Sequence, residues 1–441
     1  MNLCVIGGRG PHGLAAHLYL QDRGFTDYCL LDPASSWLPL YSPDGIASVK
    51  HLRSPRELDF SLGDSRRSMA NFVAEDGKRP LANVYSLQDV QQKNPREDHQ
   101  PRQHAERSTF WQYANSLAEQ SKAADYLIPE AAEQLEHDGS HWHIKTSSGG
   151  RIRARAIILA TGLLPHTQAP RSWWWWQHLP AERKALALQP SVKNTALDDV
   201  AGKRVVVVGS SNLSAWETAT HAAHRGAHVT LLARAQQPTV QTLPFESHWF
   251  TDAFIREFSQ LPQSKRLRQL NHYRPTSIMP VTLQDACDAG VDVHLGARVR
   301  SAVTDGRGVQ LLYAWSGCQL DATTSTPELC VTQQKARAGE HSIYADVIVA
   351  ATGSALRLKE LPLVQDAART HRGPVLTQGP HKHLPILAQT PLGTWKNLPS
   401  FFPMGAYARG LAGLGVNSLA SATVYLPLVL EQLLARDSRL N

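Results

Sequence analysis

The sequence predicts an α/β protein built from two parallel-sheet units, the second inserted into the first. Two strand–turn–helix–strand stretches predict it, at residues 3–32 and 204–234. A pair of short apolar runs ending in Ala-Thr-Gly supports it, one downstream of each stretch. A strand that hands over to a helix through a small-residue turn, followed by a second strand, is the opening of a βαβ unit.

In the first stretch, Leu3-Cys4-Val5-Ile6 reads as a strand, Gly7 to Gly13 as the turn, and the Ala/Leu-rich segment to about Gln21 as a helix. Tyr28-Cys29-Leu30-Leu31 is the second strand and runs directly into Asp32. Gly8-x-Gly10-x-x-Gly13 in this setting is a dinucleotide fingerprint. The first glycine permits the tight turn, the second lets backbone approach a pyrophosphate, and the third allows helix and strand to pack closely. Pro11 and His12 open the helix, whose N-terminus presents oriented N–H groups and partial positive charge to phosphate. Asp32 stands where the acid that bonds a ribose hydroxyl is expected.

The second stretch begins at Gly202-Lys203-Arg204 and continues through four valines, Val205 to Val208. An apolar run without alternation fits a strand buried on both faces. The turn reads Gly209-x-Ser211-x-x-Ser214, a degenerate fingerprint, before a helix to about His224 and a strand at Val229–Leu232. Arg234 follows in place of an acid. A guanidinium can pair with a 2′-phosphate that a carboxylate would repel, so this unit is expected to prefer NADPH to NADH. Capping of a strand end is the plainer alternative for Arg234.

The echoes are Ala156 to Gly162 and Ala345 to Gly353, the second ending Ala351-Thr352-Gly353. Together the signals describe two Rossmann-like dinucleotide-binding domains: residues 1–199, an inserted domain 200–345, and a return over 346–441 that includes a C-terminal helix. That helix, about Asn417 to Arg436, is expected to kink or restart near Pro427. Residues 92–108 read as a polar exposed loop.

Composition narrows the function classes. Hydrophobic residues are 42% and charged residues 19% of the chain, as in an ordinary globular protein. The net charge of +7 is spread without a basic stripe interleaved with aromatics, which argues against nucleic-acid binding. Five cysteines form no CxxC pair, so neither a zinc site nor a dithiol redox centre is expected. The 20 histidines include no HExxH, and no GxSxG elbow occurs. No apolar run reaches membrane-spanning length, and a signal peptide before the first strand is not expected. The expected location is cytoplasmic. Trp173 to Trp176 are expected to pack at an interface between domains or subunits rather than to line a pocket.

Taken together, these motifs resemble the two-dinucleotide-binding flavoprotein monooxygenases, nearest the branch of lysine and ornithine N-hydroxylases. The resemblance runs through Trp37 and the segment to Pro55, through Arg107-x-x-Phe110-Trp111-x-Tyr113, and through Leu243 to Phe250 with Phe254 and Phe258. It continues at Phe402-Pro403-Met404-Gly405 through Gly415. It implies FAD in the first domain and NADPH in the second. Trp37, Leu52, Met404, Gly405 and Gly415 would lie by the flavin, and Thr352 and Gly353 by the cofactors. Lys50, His51 and Arg53 would be catalytic, polarising the region of a flavin C4a-hydroperoxide, and Asn271 is a candidate at the nicotinamide and substrate position. The implied reaction joins O2 to a small nucleophilic substrate, an amine nitrogen among the candidates. A flavin reductase without oxygen insertion and a flavin-binding scaffold are the alternatives, and a homo-oligomer is compatible with either.

Overall fold

The computed structural model describes residues 1–43, 51–55, 58–76, 104–162, 169, 172–186, 197, 199–209, 213–238, 247–272, 278–320, 331–333, 338–352, 362–363, 400–413 and 415–437. The chain enters through β1 (Leu3–Ile6), helix α1 (Pro11–Asp22) and β2 (Tyr28–Leu31), each strand buried along its whole length. Strand β3 (His51–Pro55) and the short helix α2 (Met69–Asp76) precede β4 (His104–Glu106), which pairs antiparallel with β3 and leads straight into helix α3 (Arg107–Gln120). The expected polar loop therefore ends at His104, and its residues 92–103 lie outside the described residues.

Strand β5 (Leu127–Ile128) joins the first sheet. A three-stranded antiparallel sheet follows, made of β6 (Ala132–His137), β7 (Trp142–Thr146) and β8 (Arg151–Ala154). Strand β9 (Ala156–Leu159) then returns to the first sheet beside β1. Its closing strand is Phe401–Pro403, giving the order Phe401–Pro403, β9, β1, β2, β5, with every pairing parallel. Parallel strands covered by helices are buried on both faces, which is why β1, β2 and β9 carry no polar alternation.

The second unit holds β10 (Lys184–Leu186), β11 (Arg204–Val208), helix α4 (Leu213–His224), β12 (His228–Ala233), and helices α5 (Asp252–Gln260), α6 (Gln263–His272) and α7 (Pro280–Asp288). Strands β13 (Asp292–Leu295), β14 (Arg298–Thr304), β15 (Val309–Trp315), β16 (Cys318–Leu320), β17 (Val331–Gln333), β18 (Gly339–Ala345) and β19 (Val347–Ala350) complete it. Its main sheet runs β10, β19, β11, β12, β13, β16, β17, and β14, β15 and β18 form a separate antiparallel sheet.

This pairing corrects the expected boundaries at 199/200 and 345/346. Strand β19 hydrogen-bonds β11, and β10 hydrogen-bonds β19, so both belong to the second sheet. The inserted unit reaches outward because its central strand needs a parallel neighbour on each side, and β19 supplies one. Trp175 lies in the core between the main sheet and the β14–β15–β18 sheet, with Val206, Val208 and Leu232, while Trp174 is exposed. Packing is thus the role of Trp175, inside the second unit.

One part of the insertion crosses over. Trp249, Ile255, Phe258 and Leu270 belong to the core of the first unit rather than the second. At the C-terminus the expected helix is broken. A π-helical turn, Ser421–Tyr425, leads into the α-helix Leu426–Asp437, with Pro427 at the start of the latter. Proline has no N–H to donate into the preceding turn, which explains the change of hydrogen-bond pattern at this point. Among the described residues no helix is long and apolar enough to cross a membrane.

Candidate functional site

The first turn is set by close backbone approach. A Cβ at Gly13 would lie 1.8 Å from the Gly8 carbonyl oxygen, and one at Gly8 would lie 2.6 Å from Leu30 Cβ. Gly7, which the fingerprint reading left out, has φ +91° and would place a Cβ 2.5 Å from the carbonyl oxygen of Ala160. Gly10 caps α1 without a side-chain hydrogen bond and Pro11 occupies its first turn, so the N–H groups that follow are open to an outside acceptor.

Asp32 sits at the end of β2. Its Oδ2 accepts the Arg9 backbone N–H at 3.0 Å and its Oδ1 accepts that of Ala34 at 2.9 Å. Each carboxylate oxygen keeps capacity for a further donor, as a ribose-binding acid requires. Trp37 and Leu38 are pinned beside the turn: Leu38 N–H donates to the Arg9 carbonyl at 2.8 Å, and Trp111 Nε1 donates to the Trp37 carbonyl at 3.1 Å.

The closing segment meets the turn from the other side. Met404 is buried and its N–H donates to the Leu159 carbonyl. Gly405, at φ +61°, donates to Ser421 Oγ at 2.8 Å and faces His12, whose Cε1 would be 3.7 Å from an added Cβ. Tyr407 ties this segment to the first Ala-Thr-Gly echo by donating to the Gly162 carbonyl at 3.0 Å. Burial pushes its hydroxyl up to about 12, so it remains a donor at neutral pH.

Within this enclosure Arg9 Nε and His12 Nε2 are shut off from solvent and have no hydrogen-bond partner among the described residues. Enclosure pushes His12 down to about 4, so the imidazole is neutral at physiological pH. Buried donors without acceptors, open helix N–H groups and an acid at the strand end suit a dinucleotide carrying phosphates and a ribose.

The second turn repeats the first with a changed register. Gly209 has φ +150°, and a Cβ there would lie 2.1 Å from the Ala351 carbonyl oxygen, as Gly7 meets Ala160. The N–H of Ala351 donates to the Val208 carbonyl, as that of Ala160 donates to Ile6. Each Ala-Thr-Gly echo thus closes over the first glycine of its own unit. With α1 starting at Pro11 and α4 at Leu213, Gly209 is the counterpart of Gly7, Ser214 of His12, and Ala215 of Gly13. Counted from the two helix starts, the expected positions Gly209, Ser211 and Ser214 each stand one residue before the counterparts of Gly8, Gly10 and Gly13. A glycine locked under a carbonyl is needed one residue before the fingerprint begins.

The remaining expected residues divide. Leu52 is buried in the first core. His51 and Arg53 lie on β3, but their side chains, like Lys50, Ser211, Gly353 and the side chain of Asn271, lie outside the described residues. Arg234 and Thr352 are exposed. Gly415 has a packing reason of its own, since a Cβ there would lie 2.3 Å from the Trp249 carbonyl oxygen. Arg107 opens α3 and reaches across to the second unit, where its Nη2 donates to Glu217 Oε1 of α4 at 2.7 Å with both side chains buried. Sequence reading missed Gly7, Arg9, Tyr407, Ser421 and Glu217. Of these, only Gly7 had a local signal, a glycine at the strand end matched by Gly209.

Comparisons with known proteins agree with this architecture. The Pyridine nucleotide-disulphide oxidoreductase family matches residues 81–278. The chain is 33% identical over 176 residues to the FAD-dependent urate hydroxylase of Xanthomonas campestris, covering 39% of this chain and 34% of that protein. It is 29% identical over 150 residues to the ferredoxin–NADP reductase of Thermus thermophilus, covering 34% of this chain and 39% of that protein. The matched stretches thus span little more than a third of either relative.

Among solved structures it is similar to the ornithine N-hydroxylase of Kutzneria sp. 744, with a TM-score of 0.72 at 14% identity over 99% of both chains. It is also similar to the cadaverine monooxygenase of Erwinia amylovora, with a TM-score of 0.66 at 18% identity over 98% of this chain and 94% of that one. The fold is therefore shared with these ornithine N-hydroxylase and cadaverine monooxygenase structures.

Proposed function

We propose that this chain is an FAD-dependent, NADPH-using monooxygenase that oxygenates a small nucleophilic substrate, with an amine nitrogen as the favoured acceptor. The observation that carries the reading is the repeated lock of a strand-end glycine under an alanine carbonyl, Gly7 under Ala160 and Gly209 under Ala351, in one chain. Two such turns supply cradles for two dinucleotides, FAD at the first and NADPH at the second. Bound flavin would supply the oxygen-activating chemistry.

The protein's own groups have definable parts in this. The first-turn amides of α1 would hold the FAD pyrophosphate, and Asp32 its ribose. His12, neutral and enclosed between the turn and Gly405, would offer a hydrogen bond to FAD without adding charge. Arg234, exposed at the end of β12, would pair with the 2′-phosphate of NADPH. Trp249, Phe254 and Phe258 pack from the second unit onto the first, an apolar cover that would help exclude water. Lys50, His51 and Arg53 remain our choice of groups beside the reacting centre.

The ornithine N-hydroxylase and the cadaverine monooxygenase named above are both named for amines, and their overall likeness favours an amine substrate here. Oxygenation is favoured over dithiol reduction because the sequence has no CxxC pair, and Cys4 and Cys29 are buried within β1 and β2. The test is incubation of the FAD-loaded protein with NADPH, a panel of amines and isotopically labelled O2. One labelled oxygen in a product supports the reading. NADPH oxidation with reduction of an added acceptor and no label in any product favours the reductase.

A further inference from the structure

Strands β14, β15 and β18 form a sheet covered on one side. Ala302, Val309, Leu311, Tyr313 and Trp315 belong to the core shared with the main sheet. Alternating residues point the other way, onto an open face. Val303, Leu312 and Tyr344 lie on that face with exposures of 60%, 41% and 38%. They are three of the five exposed large hydrophobic residues among the described residues, the others being Met1 and Trp174. Leu312 is the diagonal neighbour of both Val303 and Tyr344, so the three are contiguous. Single exposed apolar side chains are ordinary, but a cluster on one small sheet marks a contact surface. Tyr344 is also held in place: its hydroxyl donates to Asp305 Oδ2 at 2.9 Å, and the Arg204 guanidinium stands 5.9 Å from its ring centroid. An aromatic side chain fixed beforehand loses little freedom when it is covered.

The register across the sheet indicates what covers it. The central strand β15 aligns Arg298, Ala314 and Glu340 at one level, Ser301, Leu312 and Ser342 at the next, and Val303, Gln310 and Tyr344 at the third. A bulge between Val299 and Ser301 adds Arg300 beside the first level, 3.9 Å from Glu340 of its own chain. Thus β14 carries cations where β18 carries an acid, and an aliphatic residue where β18 carries an aromatic. A two-fold axis running along β15 exchanges β14 with β18 and keeps each level. It sets Arg298 and Arg300 over the partner's Glu340, Val303 over the partner's Tyr344, and Leu312 over the partner's Leu312. An axis across the strands would instead lay Arg298 over the partner's Val303 and Glu340 over the partner's Tyr344. Only the first arrangement matches charge with opposite charge. It also keeps the strands of the two sheets aligned, as face-to-face sheets pack. The small Ala314 leaves a hollow of about 360 Å³ between Arg298, Arg300 and Glu340, room for the partner's arginines to reach the acid.

We propose that the open face of the β14–β15–β18 sheet joins two copies of this chain about a two-fold axis along β15, with Leu312 at its centre. Strand spacing and rise give this face about 14 by 23 Å, less than the roughly 800 Å² per partner of a standard interface. The dimer is therefore expected to be weak and to dissociate on dilution through the micromolar range. It does not depend on the activity proposed above.

The experiment is sedimentation velocity of the full-length, FAD-loaded protein from about 1 μM to about 500 μM. Wild type is expected to pass from monomer to dimer over this range. Leu312→Lys should stay monomeric, because two ammonium groups would meet on the axis. Glu340→Lys opposes cations to cations, and Arg298→Glu with Arg300→Glu opposes acids to acids. Each of these is expected to weaken association at least tenfold by itself. Mixed in equal amounts, the two charge variants again bring opposite charges together at both ends of the face, and association should return to the wild-type level. Every substituted position is exposed, so melting temperatures at the lowest concentration are expected to stay close to wild type. Wild type that remains monomeric throughout, a dimer that persists in Leu312→Lys, or a mixture that associates no better than its components would each overturn the proposal.

Discussion

At Gly209 two constraints coincide: φ is +150°, and a Cβ would lie 2.1 Å from the Ala351 carbonyl oxygen. Gly24 has φ +66° but nothing within 4 Å of such a Cβ. The contrast separates backbone strain from collision. Gly209→Ala is expected to lose roughly 3 kcal/mol or more of stability, because strain and overpacking add, whereas Gly24→Ala should lose about 1 kcal/mol. Chemical denaturation of the two variants checks this, and equal losses would show that the lock under Ala351 is not tight. His12 makes a different prediction. Its imidazole is held near 4 in the folded chain and titrates near its ordinary value of 6.5 when unfolded. The unfolded state then binds the extra proton between those values, so stability should fall as pH drops from about 6.5 to about 4, with a limiting slope of about 1.4 kcal/mol per pH unit for this group. In His12→Gln that contribution should vanish from urea midpoints measured across the window.

Between elements, the Arg107–Glu217 pair joins α3 of the first unit to α4 of the second, with side-chain exposures of 6% and 1%. Removing one partner of a buried pair leaves a desolvated charge. Glu217→Leu is therefore expected to cost about 3–5 kcal/mol, and Arg107→Met with Glu217→Leu distinctly less. A double-mutant cycle by denaturation measures the difference, and additive losses would count against the pair as a clamp between the units. At this scale the sequence was legible where signals are local. The strands β1, β2, β11 and β12 and the first turn could be read from apolar runs and glycine spacing. Partnering between distant strands could not. Val347 to Ala350 looks the same whether it pairs with β9 or with β11, and only the sheet decides. In the same way Arg266 has Lys265 and Arg268 as exposed neighbours, and no local pattern distinguishes the one that is buried.

For the whole molecule, two similar turns in one chain make a division of labour between cofactors testable. Arg234→Ala is expected to raise the KM for NADPH about tenfold or more, in line with loss of a charge-assisted contact, while leaving the KM for NADH nearly unchanged. Steady-state kinetics with both nucleotides checks this, and a parallel rise in both would assign Arg234 a structural role instead. The fingerprint legible at Gly8, Gly10 and Gly13 extends to a lock that the fingerprint leaves out, because a carbonyl arriving from 150 residues away leaves no mark beside Gly7. The most direct test of the account is anaerobic titration of the purified, flavin-reconstituted chain with NADPH, followed by absorbance. One flavin per chain, bleached by about one equivalent of NADPH, is the predicted result. A chain that takes up no flavin, or holds flavin that NADPH does not bleach, would contradict it.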